Sequence, residues 1–554
     1  MGEGRSHGVS YRVHSTLAVP ERFTAHETAA LAPYFGNTDR PVFVLTNLPE
    51  AVKGALFARY SRSPKSIRRL FLDEFSDGLK AGADPADTGA APGRERAERL
   101  YRRVFDQYGD DSVAQLGGAH IACEGVSNIL TKVLERGRLM SYLEQSTRYV
   151  PYTDRPGGRW KYVVPAELED ESDRKAFEAT LDRAFETYTR WIEPLQEHFR
   201  ARHPQAATDS DAVYRAVIRA KALDTLRGLL PAATRSNVGI YGSGQAYEML
   251  LLRMRSHSLV ETREVADLML RELRRVIPAF LQRVDRPDRG VRWSGYLEAC
   301  ERETRALTEE LTGVGAGRSR DEVVLTEFDP EGEIKVVAAA LYAASALPLD
   351  RLLTVARGMT TEERIRVLRT YAGDRENRRH RPGRAFEHAS YTFDVLSDYG
   401  AFRDLQRHRM LTLEWQHLTT RHGRVPPPDA VEEVGALGDW RRVMDDSAAL
   451  YERLASRCSP AVKQYAVSMA YRVRYYMRMN AREAMHVVEL RTTPQGHPTY
   501  RRVCQRMHRL IAERAGHRAI ADAMKFADHS SVELERLASE RTIARKRAAQ
   551  PGAP

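Results

Sequence analysis

The chain has 554 residues, which is too long for one hydrophobic core and predicts two or more domains. Hydrophobic residues make up 42% and charged residues 29%, as in globular proteins, and no apolar run approaches the roughly 20 residues that a membrane-spanning helix needs. The net charge of +11 comes from 75 arginines and only 11 lysines, which favours biased genome composition and scattered anion sites over a dedicated nucleic-acid surface.

The cysteine pattern bears on compartment and metal content. Cys123, Cys300, Cys458 and Cys504 stand far apart and form no C-x-x-C pair. This spacing predicts a reduced, cytoplasmic protein without a disulfide framework or a metal site.

Composition along the chain predicts the domain boundaries. The stretch GADPADTGAAPGR (82–94) is typical of an inserted surface loop, and TGVGAGRSR is typical of a linker. We therefore expect an N-terminal extension over 1–39, a first copy of a repeated unit over 40–311, a linker over 312–320, a second copy over 321–535 and a disordered basic tail over 536–554.

An internal repeat lies on either side of that linker. VLTNLPEAVKGALFARYS starts at Val44 and VLTEFDPEGEIKVVAAALYAAS starts at Val324, and both predict a strand, a turn and an apolar-periodic helix. Helical runs ending in an arginine pair follow, namely EGVSNILTKVLERGR and DVLSDYGAFRDLQRHR. Longer helices are predicted over 174–195 and 470–491. The expected fold is α+β and helix-dominated, in two halves.

The first arginine pair predicts an anion site. Arg136 and Arg138 follow an apolar helix face, and Glu144, Ser146 and Arg148 then recur at every second position. In an extended stretch the three would face the same way and could cradle a phosphate. A solvated basic turn is the commoner explanation of such a pattern, and the local sequence leaves it open.

Two further arginines stand next to apolar runs. Arg227 precedes GLLP, and Arg253 follows Leu250–Leu252. A charge at the edge of a core needs a partner, which is either an acidic side chain or a bound ligand. The residues alone leave both open.

These motifs resemble those of the flavin-dependent thymidylate synthases. The family pattern R-H-R, seven residues, S-x-R-Y is matched from Arg136 to Tyr149, except that Gly137 replaces histidine. The second half is similar to other family segments: FEHASYTF (386–393), the intact R-H-R of residues 407–409, and an N-A-R segment followed by L-R at 480–491.

The resemblance implies a site divided between the two halves. It places substrate binding in the first copy, on Arg136, Arg138, Glu144, Gln145, Ser146, Arg148, Arg227 and Arg253. It places flavin binding in the second copy, on Glu387, His388, Arg407, His408, Arg409, Asn480, Arg482 and Arg491. At the corresponding positions the second copy has His417, Thr419 and Gln464, while the first has Gly137, Ser243 and Gln245. The first copy thus lacks flavin-binding motif residues that the second retains, and the second lacks substrate-binding motif residues that the first retains.

The implied activity is reductive methylation of dUMP to dTMP, with FAD as cofactor and NADPH and methylenetetrahydrofolate as co-substrates. Arg253, Arg227 and His408 are the expected catalytic residues; a cation such as Arg253 beside a uracil carbonyl would stabilise the enolate. His408 is expected to be exposed in the flavin or folate pocket. A homodimer would reproduce the family's tetramer. Two alternatives stay open: a flavin-dependent carbon-5 methylase of another pyrimidine nucleotide such as UMP, and a noncatalytic nucleotide- or nucleic-acid-binding paralogue.

Overall fold

A computed structural model describes residues 21–40, 43–60, 63–76, 115–207, 209–312 and 321–530. The predicted insertion at 82–94, the linker after residue 312 and the basic tail lie outside these ranges. The chain falls into two compact units. One contains residues 1–121, 241–253 and 266–295, and the other contains 122–240, 254–265 and 296–554.

The fold is α+β and dominated by helices, as the sequence predicts. The described helices are α1 (Ala25–Leu31), α2 (Glu50–Tyr60), α3 (Ile67–Glu74), α4 (Asn128–Leu134), α5 (Glu171–Arg190), α6 (Ile192–Arg202), α7 (Asp211–Leu226), α8 (Gly244–Arg255), α9 (Val260–Arg274), α10 (Gly290–Thr312), α11 (Gly332–Tyr342), α12 (Leu349–Gly358), α13 (Thr361–Ala372), α14 (Tyr399–Leu405), α15 (Asp429–Glu433), α16 (Leu437–Arg453), α17 (Pro460–Lys463), α18 (Ala481–Arg491), α19 (Pro498–Glu513) and α20 (Arg518–Ala523). The strands are β1 (Gly118–Ser127), β2 (Met140–Glu144), β3 (Arg235–Ser243), β4 (Val323–Phe328), β5 (Ser390–Asp398), β6 (Thr412–Trp415) and β7 (Arg472–Asn480).

Two sheets carry the internal repeat. One has the order β1-β3-β2, and the other has the order β4-β5-β7-β6. In the first sheet β1 leads directly into α4 and β3 into α8, and in the second sheet the two central strands do the same, β5 into α14 and β7 into α18. Ser127 caps α4 and Asp398 caps α14 at equivalent places. The chain is therefore built from two tandem copies of one α/β unit.

Several predicted helices begin as strands. Residues 470–491 were expected to form one helix, but β7 occupies the first part and only α18 is helical. Alternate residues of β7 are buried, and its backbone pairs with β5, for example at Asp394 and Tyr476. The runs before both arginine pairs likewise begin in β1 and β5. Strand pairing with distant residues overrides a local pattern that is compatible with either structure.

Other elements also differ from the prediction. The expected first-copy strand near Val44 is only an isolated bridge between Phe35 and Leu45, whereas β4 pairs fully with β5. The helix predicted over 174–195 is divided at Trp191, whose backbone N–H still donates to Thr187 O. Within the described part of the chain, no helix is both long and apolar enough to cross a bilayer.

The second compact unit has one hydrophobic core that draws on both sequence copies. The segments that follow α7 and α17 pair with each other: Ala232 N donates to Val467 O at 2.8 Å, and Met469 N donates to Leu230 O at 2.9 Å. A Cβ atom at Gly228 would lie 2.7 Å from the Trp440 ring, so only glycine permits this close approach. The pairing fixes Arg227 at the boundary between the copies.

Candidate active site

Arg136, Arg138 and Arg409, three arginines of the two pairs, line one small pocket in the second compact unit. Arg136 and Arg138 follow α4, and His408 and Arg409 follow α14. The pocket has a volume of about 100 Å³ and is lined by Arg136, Arg138, Gln406, His408, Arg409, Leu411, Thr412, Leu413, Glu414 and Trp415. Gln406 Oε1 is buried and has no hydrogen-bond partner among the described residues. Basic groups from both copies therefore surround one polar pocket, and the division of substrate and flavin binding between the copies stays a prediction.

Packing explains the glycine that interrupts the first arginine pair. Tyr142 OH donates to Gly137 O at 3.0 Å. A Cβ atom at Gly137 would lie 2.5 Å from that hydroxyl and 3.1 Å from Met140 Sδ. A histidine side chain could not occupy this position without displacing Tyr142.

Glu144 is the centre of a buried charge cluster that joins the copies. Its carboxylate is fully buried and contacts Lys132 Nζ at 3.2 Å, Arg403 Nη2 at 2.9 Å and Arg407 Nη2 at 2.5 Å. Burial by itself would raise the pKa of Glu144. The charges of Arg403, Lys132 and Arg407 outweigh that effect and hold the pKa well below its ordinary value. A first-copy carboxylate thus anchors arginines of the second copy.

Strand β2 ends at Glu144, and a turn follows. Ser146 O accepts from the backbone N–H groups of Tyr149 and Val150, and Ser146 Oγ accepts from Arg148 N at 3.3 Å. Gln145 continues the sheet, since its N–H donates to Asn237 O at 2.8 Å. The expectation that Glu144, Ser146 and Arg148 share one face of an extended stretch is therefore wrong.

Two carboxylates gather four arginines beside this turn. Asp224 Oδ1 lies 3.3 Å from Arg148 Nε and 3.5 Å from Arg227 Nη1. Asp404 lies 3.5 Å from Arg227 Nη1 and 4.0 Å from guanidinium nitrogens of both Arg407 and Arg491. Arg148 and Arg227 come from the first copy, whereas Arg407 and Arg491 come from the second. The network links predicted substrate residues directly to predicted flavin residues.

A larger cavity opens beside Arg227. Its volume is about 390 Å³, and it is lined by Lys221, Asp224, Thr225, Arg227, Gly228, Asp398, Gly400, Val425, Pro426, Pro427, Pro428, Asp429, Trp440, Met469, Ala470, His497, Pro498, Thr499 and Arg502. The Arg227 side chain is only 6% exposed, yet its Nη2 finds no hydrogen-bond partner within the described ranges. A buried guanidinium with unused donors is suited to bind an anionic or carbonyl ligand.

The second-copy counterpart of Arg227 has no such capacity. Gln464 begins the equivalent turn after α17, and its Oε1 accepts from Leu418 N at 2.9 Å. Its Nε2 donates to Ala461 O at 3.2 Å. Because the Gln464 amide is satisfied by the backbone at both ends, the two copies differ at this position, and the complementary loss of binding sites stays a prediction.

His408 is 8% exposed, so the expectation of an exposed histidine is wrong. Its Nε2 accepts from Arg491 Nε at 2.9 Å, and its Nδ1 lies 3.5 Å from Glu483 Oε1. Burial, reinforced by the charge of Arg491, lowers the pKa of His408 well below its ordinary value. The imidazole is therefore neutral and orients Arg491.

His408, Glu483 and His486 also have the spacing of a metal site, with their ligand atoms within 4.8 Å of one another. Arg491 already occupies His408 Nε2, and Arg381 Nη2 lies 3.3 Å from His486 Nδ1. Guanidinium charges at both imidazoles disfavour a cation. The contacts favour imidazoles that pair with arginines over a metal centre.

The other predicted flavin residues lie where β5 begins and β7 ends. Glu387 Oε1 lies 3.3 Å from Arg482 Nη1, and Arg482 Nε donates to Pro382 O at 2.9 Å. Asn480 caps α18 by accepting a hydrogen bond from Glu483 N. His388 is exposed at the end of the 3-10 helix Arg384–His388, which precedes β5. Their assignment to flavin stays a prediction.

Arg253 belongs to the other compact unit, in α8 after the buried Leu250–Leu252. If the first residues of β3 and β7 are aligned, the first-copy position that corresponds to Arg491 is Met254. Arg253 is therefore not the first-copy counterpart of Arg491. The role of Arg253 at the base stays a prediction.

The carboxylates Asp224 and Asp404 and the cations Lys132 and Arg403 were not singled out from the sequence. Each lies on a helix, where a charged residue ordinarily faces solvent, but the helices α4 and α14 are almost entirely buried. Asp404 precedes Arg407 by one helical turn, and that spacing is the one signal that could have identified it.

His497 makes the stability of the site depend on pH. Burial and the charge of Arg227 lower the pKa of His497 to about 3, although Asp224 opposes the shift. Between that value and the ordinary 6.5 the unfolded chain binds a proton that the folded chain does not, so stability rises with pH.

Replacing His497 with asparagine, which can still cap α19, should therefore flatten this dependence. We expect the loss of folding free energy between pH 7 and pH 5 to shrink by on the order of 2 kcal/mol. Urea unfolding at pH 7 and pH 5 measures the free energy of unfolding of the variant and the wild type. An equal change with pH in both proteins would contradict a neutral His497.

Comparisons with known proteins agree with this architecture. A family model described as thymidylate synthase complementing protein matches residues 55–279 and 323–515. A UPF0159 protein of Chlamydia muridarum (strain MoPn / Nigg) is 36% identical over 527 residues, covering 94% of this chain and 98% of that protein. A UPF0159 protein of Thermoplasma acidophilum is 30% identical over 512 residues, covering 88% of this chain and 97% of that protein.

Similarity to proteins named for an activity is shorter. A flavin-dependent thymidylate synthase of Mycobacterium bovis (strain BCG / Pasteur 1173P2) is 31% identical over 181 residues, covering 32% of this chain and 66% of that protein. A solved structure of the UMP/dUMP methylase PolB from Streptomyces cacaoi, bound with 5-Br dUMP, is 19% identical with a TM-score of 0.29, covering 38% of this chain and 99% of that one.

Proposed function

This chain belongs to the thymidylate synthase complementing protein family as a tandem, divergent member, and from that premise we propose that it is a flavin-dependent thymidylate synthase. In this proposal it converts dUMP to dTMP, with methylenetetrahydrofolate as the carbon donor and NADPH as the reductant. The assembly would be a homodimer that places four copies of the unit together.

The observation that carries the proposal is the shared charge network. Arg148 and Arg227 of the first copy and Arg407 and Arg491 of the second copy converge on Asp224 and Asp404. A cluster with more guanidinium than carboxylate groups is suited to a nucleotide monophosphate, whose phosphate accepts charge-assisted hydrogen bonds. Arg227 supplies unused donors to the adjoining cavity.

The chemistry requires a cation at the pyrimidine ring. Carbon 5 of uracil becomes nucleophilic as negative charge develops on a ring carbonyl, and a fixed guanidinium stabilises that charge. Arg227 is the residue placed to do this, because the carboxylates beside it hold the guanidinium at the cavity wall. Burial raises the pKa of Cys123 to about 11 and that of Cys504 to about 12, so neither thiol is suited to attack the ring.

The small basic pocket has donors that suit the phosphates of a flavin dinucleotide, and its volume of about 100 Å³ holds that part of the cofactor and not the whole. Arg138 and Arg409 would hold its phosphates, and the unpartnered Gln406 Oε1 would accept from a hydroxyl or ring N–H. When bound, the flavin supplies the hydride of the reductive methylation. The protein positions the nucleotide and stabilises charge.

Isotope release tests the proposed reaction. The full chain should release tritium from carbon 5 of labelled dUMP, and release should require NADPH and methylenetetrahydrofolate. Release from labelled UMP instead of dUMP would indicate a related methylase. A protein that binds neither flavin nor dUMP would exclude both enzymes.

Flavin retention tests the basic pocket separately. The protein should purify with the visible absorption spectrum of a flavin, and the double variant Arg138→Met/Arg409→Met should bind FAD at least tenfold more weakly, because two charge-assisted contacts are lost. Arg379→Met, at an exposed arginine, is the control. Equal FAD affinity in the double variant would place the cofactor elsewhere.

A further inference from the structure

The wall of the 390 Å³ cavity carries a second buried polar atom without a partner. Asp398 caps α14 through Oδ1, which accepts from Ala401 N at 2.9 Å. Its Oδ2 is buried and has no hydrogen-bond partner of ordinary geometry among the described residues, and the Thr499 hydroxyl on the same wall is its neighbouring side-chain donor. Asp398 is only 5% exposed. An acceptor and the unused Arg227 donor therefore line the same cavity.

The Asp398 and Arg227 side chains approach one point through Oδ1 and Nε, the atoms next to the two unpartnered ones. A Cβ atom at Gly400 would lie 2.9 Å from Asp398 Oδ1 and 3.0 Å from Arg227 Nε. Any larger residue at position 400 would push the two side chains apart. Leaving a buried polar atom unpaired is unfavourable, so a ligand that satisfies both atoms gains strongly from binding.

The complement of this pair is a heterocyclic amide edge. Arg227 Nη2 requires an acceptor and Asp398 Oδ2 requires a donor, and a ring carbonyl next to a ring N–H supplies both. Apolar surface from Val425, Pro427 and Trp440 also lines the cavity and suits a flat ring.

We propose that Asp398 and Arg227 together recognise the lactam edge of the substrate ring, which makes Asp398 a specificity-determining residue. The proposal rests on the proposed function for the identity of the ring. In uracil, the N3 proton would be donated to Asp398 Oδ2 and the neighbouring carbonyl would accept from Arg227. Cytosine has no N3 proton and can satisfy the pair only with its amino group and N3, which requires a ring position different from that of uracil. A pterin carries the same edge and is the other possible source.

The equivalent position in the first copy is not available for a ligand. Ser127 caps α4, its Oγ accepting from Leu130 N at 3.0 Å and donating to Glu261 at 2.7 Å. The Ser127 hydroxyl thus uses both its acceptor and its donor within the fold, whereas Asp398 Oδ2 does not take part in the helix cap. Each chain would therefore have one such ring-binding position, at Asp398, and no equivalent position at Ser127.

Asp398→Asn tests the proposal with almost no change in shape. Asparagine caps helices as well as aspartate does, so α14 is retained, but an amide N–H₂ replaces the free acceptor. In calorimetric titrations of the full chain, dUMP affinity should fall at least tenfold and dCMP affinity should rise. Asp398→Ser, which copies Ser127, should lose dUMP affinity without gaining dCMP affinity.

Asp170→Asn is the matched control, because Asp170 caps α5 and does not line the cavity. It should leave both affinities unchanged. If Asp398→Asn weakens tetrahydrofolate binding instead of dUMP binding, the lactam belongs to the pterin. If wild-type protein binds dUMP and no Asp398 variant alters either ligand, the inference is wrong while the proposed function stands. Failure of wild-type protein to bind dUMP and flavin would overturn the function itself.

Discussion

Replacing Arg227 with methionine should lower kcat/KM for dUMP by roughly 100- to 1,000-fold, the usual effect of removing a fixed donor from developing negative charge. The substitution removes the buried Nη2 donor from the cavity and keeps most of the side-chain volume. Asp224 would still contact Arg148, and Asp404 would still be near Arg407 and Arg491, so the carboxylates remain compensated. The effect should therefore appear in catalysis more than in folding.

Arg502→Met is the control for this prediction. Arg502 lines the same cavity, but its guanidinium is engaged by Glu322 through two contacts of 2.9 Å and its side chain is 56% exposed. We expect its kcat/KM to stay close to that of the wild type. Steady-state tritium release with both variants makes the comparison, and equal losses would show that general cavity charge, rather than Arg227, supports the reaction.

Replacing Glu144 with glutamine should destabilise the protein by about 3–5 kcal/mol, the range for removing one partner from a buried ion cluster. Lys132, Arg403 and Arg407 would lose the carboxylate that they share, and the Lys132 and Arg403 side chains are at most 5% exposed. Glutamine preserves the shape of the side chain, so the loss of stability comes from the missing charge and not from a cavity. Urea unfolding measures the change in free energy.

Glu414→Gln provides the comparison, because Glu414 also pairs with an arginine, Arg136, but its side chain is 47% exposed. Exposed ion pairs contribute at most about 1 kcal/mol.

The Glu144 effect should also depend on pH. Because the folded-state pKa of Glu144 is depressed, its contribution is present above the ordinary value of 4.5 and is lost as pH falls below it. A Glu144→Gln variant as stable as Glu414→Gln would contradict the central role of this carboxylate.

Several features of the molecule were accessible from the sequence because they depend on residue identity. The duplicated motifs predicted two copies of one unit, and the sheet orders and the two-segment family match confirm it. The different residues at equivalent positions, arginine at 227 and glutamine at 464, predicted that the copies would differ as ligand sites.

Other features were not accessible because they depend on contacts between distant residues. A run such as 472–480 is compatible with a helix or a strand, and pairing with β5 made it a strand. The turn after Glu144 likewise removed the expected common face of Glu144 and Arg148.

The sequence by itself therefore determined which residue types each copy possesses, because motifs and repeats are written in residue identity and spacing. Only the tertiary structure decided which charges become partners. Glu144 meets Arg403 across 259 residues, and Arg227 meets Asp404 where the two copies share a core. Burial at that boundary strengthens each charge interaction and leaves Arg227 and Asp398 with unused hydrogen-bonding atoms, an arrangement that neither copy encodes alone.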